Sequence, residues 1–364
     1  MTGSTTSGAG ATAPAPALPR SGRIAAIDIA RGLAVLGMFA AHTLTRSLDE
    51  DTIVDGRSSI LFATLAGLSI GLMTGGSRPL EAGRGAAYAG IGVRGLLLFF
   101  LGSLLWLPRT DIAVILDYYG IAFLLLLPAL FAPRLVLAAI AAVAAFVGPL
   151  IDAAFDQVPV DGDLAAYAVD RLFDGYYPAF TWLAYLAVGL ICARSGVPRR
   201  RTQLAMIGGG AVGMLAGYGA AAVLPGVTAE AHSDTTAEVL GSGGFAVALI
   251  GLLLLVTGPA TRAAGSALRT LLSPIAAVGS MPLTIYTVQL LVLAWYIQVQ
   301  PQPSSIDYPV PLFLAMASAA ILFAVVWRRF LGAGPLERLM RTASGWPPSK
   351  RPPDRAASSE QRVL

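Results

Sequence analysis

Charged residues are scarce in this chain: Asp, Glu, Lys and Arg make up 13% of its 364 positions, against 55% hydrophobic residues and a mean hydropathy of +0.69. Soluble domains carry about a quarter charged residues, so the composition excludes a chain that folds in water and makes lipid its solvent. Cysteine is nearly absent. The single Cys192 excludes a disulfide framework and any cysteine-based zinc site, and its apolar surroundings mark it as a small buried hydrophobe. Lysine is reduced to Lys350, and no Gly-rich loop ending in Lys is present to cradle a phosphate. A GxSxG elbow and an HExxH zinc motif are also missing. Histidine is limited to His42 and His232, and two imidazoles with scattered carboxylates do not make a metal site. The net charge of +4 does not point to a nucleic acid, because the basic residues are sorted by membrane side rather than gathered on one face.

What is present is a series of apolar runs between two polar ends. Residues 1–22 are mostly Gly, Ser, Thr, Ala and Pro without periodicity, and residues 343–364 are again Pro-rich and polar, so both read as disordered tails. The N-terminal one lacks the charged start and cleavage site of a signal peptide. Between them, residues 23–342 form one membrane domain. A bilayer core about 30 Å thick takes about 20 apolar residues per helix, which predicts an all-α, polytopic protein of about ten spans. These fall near 24–44, 56–74, 86–107, 111–131, 135–155, 176–193, 203–224, 238–257, 272–297 and 309–331.

Basic residues stay on the cytosolic side of a membrane. Arg20, Arg23, Arg78, Arg84, Arg134, Arg194, Arg199, Arg200, Arg201, Arg262 and Arg269 occupy the N-terminal segment and alternate loops, with Arg328, Arg329, Arg338 and Arg341 at the other end. The intervening loops hold only Arg46, Arg57, Arg109 and Arg171 and are acidic, as in Asp49, Glu50, Asp51 and Asp55. An even number of spans with both termini in the cytosol satisfies every loop. Arginine in place of lysine and an Ala- and Gly-rich core suggest a GC-rich bacterial genome, hence a bacterial plasma membrane.

Ionisable groups inside spans are costly and mark functional positions by default. Asp28 and Arg31 are one turn apart at the cytosolic start of the first span, where they can pair or act as a snorkelling anchor. Arg94 and Asp117 fall within predicted spans three and four, either as site residues or as an ion pair that fixes packing. His42 lies eighteen residues beyond Ile24, about 27 Å along a helix, at the outer end of the first span. His232, in HSDTTAE, also falls on the outer side. Each is an interfacial hydrogen-bonding residue when taken alone. Two on one side, near Asp55, Asp234 and Glu238, point to a site.

The segments RIAAIDIARGLAVLGMF and DGRSSILFATLAGLSIGL resemble the start of the heparan-α-glucosaminide N-acetyltransferase family and its bacterial YeiB-like relatives. HSDTTAEVLGSGGFAVALIGLLLL, SMPLTIYTVQ and GPLERLMR resemble the C-terminal half of those relatives, so the blocks extend from Arg23 to Arg341. The resemblance implies a transmembrane acyltransferase that moves an acyl group, acetyl above all, from cytosolic acyl-CoA to a hydroxyl or amine of an extracytoplasmic sugar or glycolipid. His42 is then the base, with His232, Glu238 and Asp55 shaping the acceptor site, while Arg94, Arg31 and Asp28 serve the donor. The animal enzyme has asparagine at the position of His42 and its functional histidine in the following loop, which contains none here. Which histidine acts, and whether a covalent acyl-histidine forms, is left open by the sequence. So are homodimerisation and, as a second functional class, a transporter or flippase for a small solute or lipid-linked sugar.

Overall fold

The computed structural model describes residues 24–48, 52–108, 112–155, 162–258, 261–299 and 308–345. Both expected tails lie outside these residues, apart from the short stretch 343–345. Among the described residues the chain is helical and has no strand. Eight helices among these residues are long and apolar enough to cross a membrane, and two shorter apolar ones, Arg57–Met73 and Leu116–Ala129, accompany them.

Helix α1 (Ala25–Leu48) is followed by α2 (Arg57–Met73), α3 (Arg84–Leu105), α4 (Leu116–Leu126) and α5 (Arg134–Phe155). A short α6 (Asp163–Val169) runs through a single π-helical turn at Asp170–Asp174 toward α7 (Ala179–Ser195). Then come α8 (Arg200–Val223), α9 (Thr236–Val256), α10 (Arg262–Leu271), α11 (Ser273–Val278), α12 (Pro282–Val299), α13 (Val310–Phe330) and α14 (Pro335–Ser344).

The run predicted as one span over 272–297 is broken at residues 279–281 into α11 and α12. Pro282 supplies no backbone N–H and disfavours helical geometry in the residue before it. Glu337 of α14 caps the new helix start: its Oε1 accepts from the N–H groups of Leu283 at 2.8 Å and Thr284 at 3.1 Å, and its Oε2 from the Thr284 hydroxyl at 2.6 Å. A carboxylate at a helix N-terminus answers both the open donors and the dipole.

Lipid gives apolar helices little reason to associate, so close packing of small residues has to supply it. In α2 and α7, a Cβ on Gly67 would strike the carbonyl of Leu186, and one on Gly189 that of Thr64. The backbones therefore touch where side chains would normally stand. Gly189→Val is expected to destabilise the fold by about 1–3 kcal/mol, read as a lower thermal midpoint in detergent; an unchanged midpoint would show that α2 and α7 separate freely.

Arg194 ends α7 as a brace. Its buried guanidinium donates to the carbonyls of Gly71 at 3.1 Å, Gly76 at 2.8 Å and Leu130 at 2.9 Å, and to the Thr74 hydroxyl at 2.8 Å. These carbonyls lie at the end of α2, in the turn after it and in the turn after α4, where a helix leaves acceptors without an intrahelical partner; that of Gly71 is shared with the Gly76 N–H.

Candidate functional site: a cavity shared by the two halves of the chain

At one end of the bundle lie the starts of α1 and α12 together with α14; at the other, the end of α1 meets the starts of α2, α7 and α9. We call these the terminal face and the loop face. The loop face opens into a cavity of about 590 Å³ lined by His42, Asp55 and His232. The only two histidines of the sequence, 190 residues apart, line the same cavity.

His42 reaches the cavity from the last turns of α1. Gln289 Nε2 of α12 donates to its Nδ1 at 3.0 Å. Asp55 stands on the turn before α2, where its carboxylate accepts from the backbone N–H of Thr52 at 2.6 Å and from the Thr52 hydroxyl at 2.9 Å. That local loop closes the turn and fixes the direction of approach to α2. A Cβ on the adjoining Gly56, which has φ 62°, would lie 3.1 Å from both Ala231 and Glu238 Oε1, so the 52–56 turn is pressed against the loop that carries His232.

That second loop is held in an unusual shape. His232 and Asp234 have positive φ of 59° and 46°, a region that costs most residues about 1 kcal/mol or more. Glu238, in the first turn of α9 and 1% exposed, clamps both residues: Oε1 accepts from the His232 N–H and Oε2 from the Asp234 N–H, each at 2.8 Å. Thr235 adds the N-cap, accepting from the Glu238 N–H at 3.1 Å. Asp234 accepts from Trp182 Nε1 at 3.1 Å; burial, reinforced by Glu238, pushes its carboxyl well above the usual range.

The His232 imidazole is packed against the rings of Tyr176 and Tyr177, with centroids 4.2 and 5.3 Å away. Its Nδ1 is buried without a hydrogen-bond partner among the described residues. Burial lowers its pKa to about 4, against the opposite pull of Asp55, so the ring is neutral at physiological pH. The sign follows from linkage: the unfolded chain takes up a proton near the ordinary histidine value and the folded one does not. Stability is therefore fully present above about pH 6.5 and is lost as pH falls toward about 4. Replacing His232 by Gln is expected to flatten the fall of the thermal midpoint over this window, and an equally steep fall would contradict the assignment.

The remaining wall is aromatic and charged. Arg171, in the π-helical turn before α7, pairs through Nε with Asp117 Oδ2 at 2.8 Å and through Nη1 with Asp170. It also donates to the Tyr118 hydroxyl at 2.6 Å, and its guanidinium lies over the rings of Trp106 and Tyr118. Trp106 Nε1 donates to the same Asp117 oxygen at 3.2 Å. The intramembrane Asp117 thus finds its cation in Arg171 rather than in Arg94. In the sequence Arg171 reads only as a loop charge, and hydropathy does not distinguish Trp106, Tyr118, Tyr176 or Tyr177 from other aromatic residues at helix ends. The signals available were an arginine in an otherwise acidic segment and the GYYP run before α7.

The other sequence-selected residues lie toward the terminal face. Arg31 Nη1 contacts Asp28 at 3.3 Å and donates to the Gly279 carbonyl at 3.1 Å, while Nη2 donates to Ser69 Oγ at 2.8 Å. The pair links α1 to α2 and to the break between α11 and α12. Arg94 on α3 donates to Ser344 Oγ of α14 at 3.1 Å. Glu238 is not among the cavity's lining residues and acts on it through the loop that carries His232. No group of three or more potential metal ligands occurs among the described residues.

An all-helical, multi-pass architecture with an aromatic-walled cavity at one face defines a polytopic membrane protein. The catalytic model of heparan-alpha-glucosaminide N-acetyltransferase matches residues 23–224, more than half of the chain, and the chain belongs to that membrane acetyltransferase-like family. A second model, described as a protein of unknown function (DUF418), matches residues 191–347. Comparison with curated proteins gives no match. The cavity draws on both matched segments, with His42 and Asp55 in the first and His232 in the second.

Proposed function

We propose that this protein transfers an acyl group, acetyl in the first instance, from acyl-coenzyme A at the terminal face to a hydroxyl or amine of a glycan or glycolipid held in the loop-face cavity. The terminal face is oriented toward the cytosol of a bacterial plasma membrane by the arginine distribution. The observation that carries the proposal is the convergence of His42, Asp55 and His232 on one cavity in a chain of this family.

His42 is the general base. As placed, Gln289 Nε2 donates to Nδ1 at 3.0 Å, which puts the imidazole proton on Nε2; with the near-isosteric amide turned over, Oε1 accepts from Nδ1–H and Nε2 is basic, and this is the arrangement we assign to acyl transfer. His42 takes the proton of the acceptor as its oxygen or nitrogen attacks the acyl carbonyl. Acyl-coenzyme A supplies an acyl carbon with a thiolate leaving group, so the new C–O or C–N bond forms as the C–S bond breaks. The faces of Tyr176 and Tyr177, with the polar atoms of Asp55 and His232, suit the alternating apolar and hydroxyl surfaces of a sugar ring.

On the donor side, Arg31 lies eleven residues before His42 on α1, about 16 Å along the axis. Arg31, Asp28 and Arg94 therefore belong to the half of the bundle that the donor enters, where a guanidinium meets the anionic nucleotide end. Purified protein titrated with acetyl-coenzyme A is expected to show a saturable rise in thermal midpoint, weakened in Arg94→Ala and retained in His42→Ala. The absence of a shift with any acyl thioester, in folded protein, would overturn the proposal.

A further inference from the structure

A second cavity of about 640 Å³ lies on the same face, on the far side of the 52–57 turn. Its walls are Thr52, Ile53 and Arg57 from that turn, Tyr218 and Ala221 from the end of α8, and residues 227–231. Ala231 borders both cavities, yet the two differ in chemistry. The second contains neither histidine.

Its one cation is held ready. Arg57 Nε donates to the Tyr218 hydroxyl at 2.8 Å and Nη1 to the Ile53 carbonyl at 3.3 Å. The guanidinium lies 5.0 Å from the centroid of the Tyr218 ring, and the Tyr218 hydroxyl is itself tied to Ser242 Oγ at 2.9 Å. Among the described residues no carboxylate forms an ion pair with Arg57, and its Nη2 has no protein partner. An arginine fixed on one edge and open on the other is preorganised for an oxyanion. Glu230 lines the same cavity and is exposed, so a ligand with a second negative charge is disfavoured and one with a positive charge beyond its phosphate is favoured. The surroundings are apolar and open: Ile53, Leu215 and Val223 are 73%, 75% and 75% exposed. Leu215 stands one turn from Tyr218 on a helix whose length and hydropathy suit a membrane span.

We propose that this cavity binds the headgroup of a phospholipid in the adjoining leaflet, with its phosphate on Arg57 and an ammonium, as in phosphatidylethanolamine, facing Glu230. The site goes beyond acyl transfer and needs no acyl donor.

The test is thermal unfolding of the full-length protein in detergent, without acyl thioester, titrated with phosphatidylethanolamine, phosphatidylglycerol, soluble phosphoethanolamine or inorganic phosphate. Phosphatidylethanolamine is expected to raise the midpoint saturably. Arg57→Gln should weaken its apparent affinity about tenfold or more, as loss of a charge-assisted hydrogen bond does. Glu230→Gln, at an exposed position that leaves folding intact, should shift preference toward phosphatidylglycerol. Equal responses of wild type and Arg57→Gln would overturn the site. Saturation by soluble phosphoethanolamine or phosphate at the same concentration as the lipid would overturn its assignment to a bilayer lipid, and an unchanged preference in Glu230→Gln would overturn the role of the ammonium.

Discussion

His42→Ala is expected to reduce acyl transfer by about 10²–10⁴-fold, the range that a positioned general base contributes, while the protein stays folded and still binds acyl-coenzyme A. The side chain comes from the end of α1, and the variant gives up its hydrogen bond to Gln289. Gln289→Leu extends the test. It leaves the imidazole in place but removes the group that selects its tautomer, so turnover should fall about tenfold or more while the KM for the donor is unchanged. Full activity in His42→Ala would refute the assignment of the base. Loss in His42→Ala with normal turnover in Gln289→Leu would leave the base and remove the tautomer argument.

The second large effect is expected at Glu238. Glu238→Ala deletes the acceptor for two buried backbone N–H groups, and a buried donor left without a partner costs about 1–3 kcal/mol. Both donors belong to residues held at positive φ, so the loop loses its clamp where it is most strained. A drop of about 2–6 kcal/mol in unfolding free energy follows, together with loss of acyl transfer as His232 leaves the tyrosine pair. Glu238→Gln, which keeps one carbonyl oxygen, should fall between the two. A measured stability equal to wild type in Glu238→Ala would show that the loop holds its shape by other means.

The clamp shows how much of the site can be read from residues in order. Glu238 stands three residues after Thr235, the spacing of a capping box, and the N-cap half of that motif is present. The carboxylate, however, reaches past Thr235 to the N–H groups of His232 and Asp234. Nothing in the spacing distinguishes these two uses, because they depend on the loop's left-handed turns. The partnership of Asp117 with Arg171 was equally hidden: the residues are 54 positions apart, and hydropathy places one inside a span and the other outside. Gln289 carries no charge and lies in an apolar helix, so its contact with His42 left no trace in composition or pattern.

The apolar helices and polar connections were legible because lipid offers no hydrogen bonds, which forces each crossing segment to satisfy its own backbone within a single helix. That is a local constraint, and local sequence records it. Pro282 belongs to the same class of signal, since a missing N–H acts within one turn, although hydropathy alone ran straight through it. Which helix faces meet is decided otherwise. Close approaches such as Gly67 and Gly189 against opposing carbonyls set how α2 and α7 lie together, and the packing of the whole bundle brings the end of α1 to the loop before α9. The sequence by itself determined the solvent, the helices and the residues worth watching. Only the tertiary structure decided that His42, Asp55 and His232 share one cavity while Arg94 meets the C-terminal helix, because those neighbours are made by contacts between segments far apart in the chain.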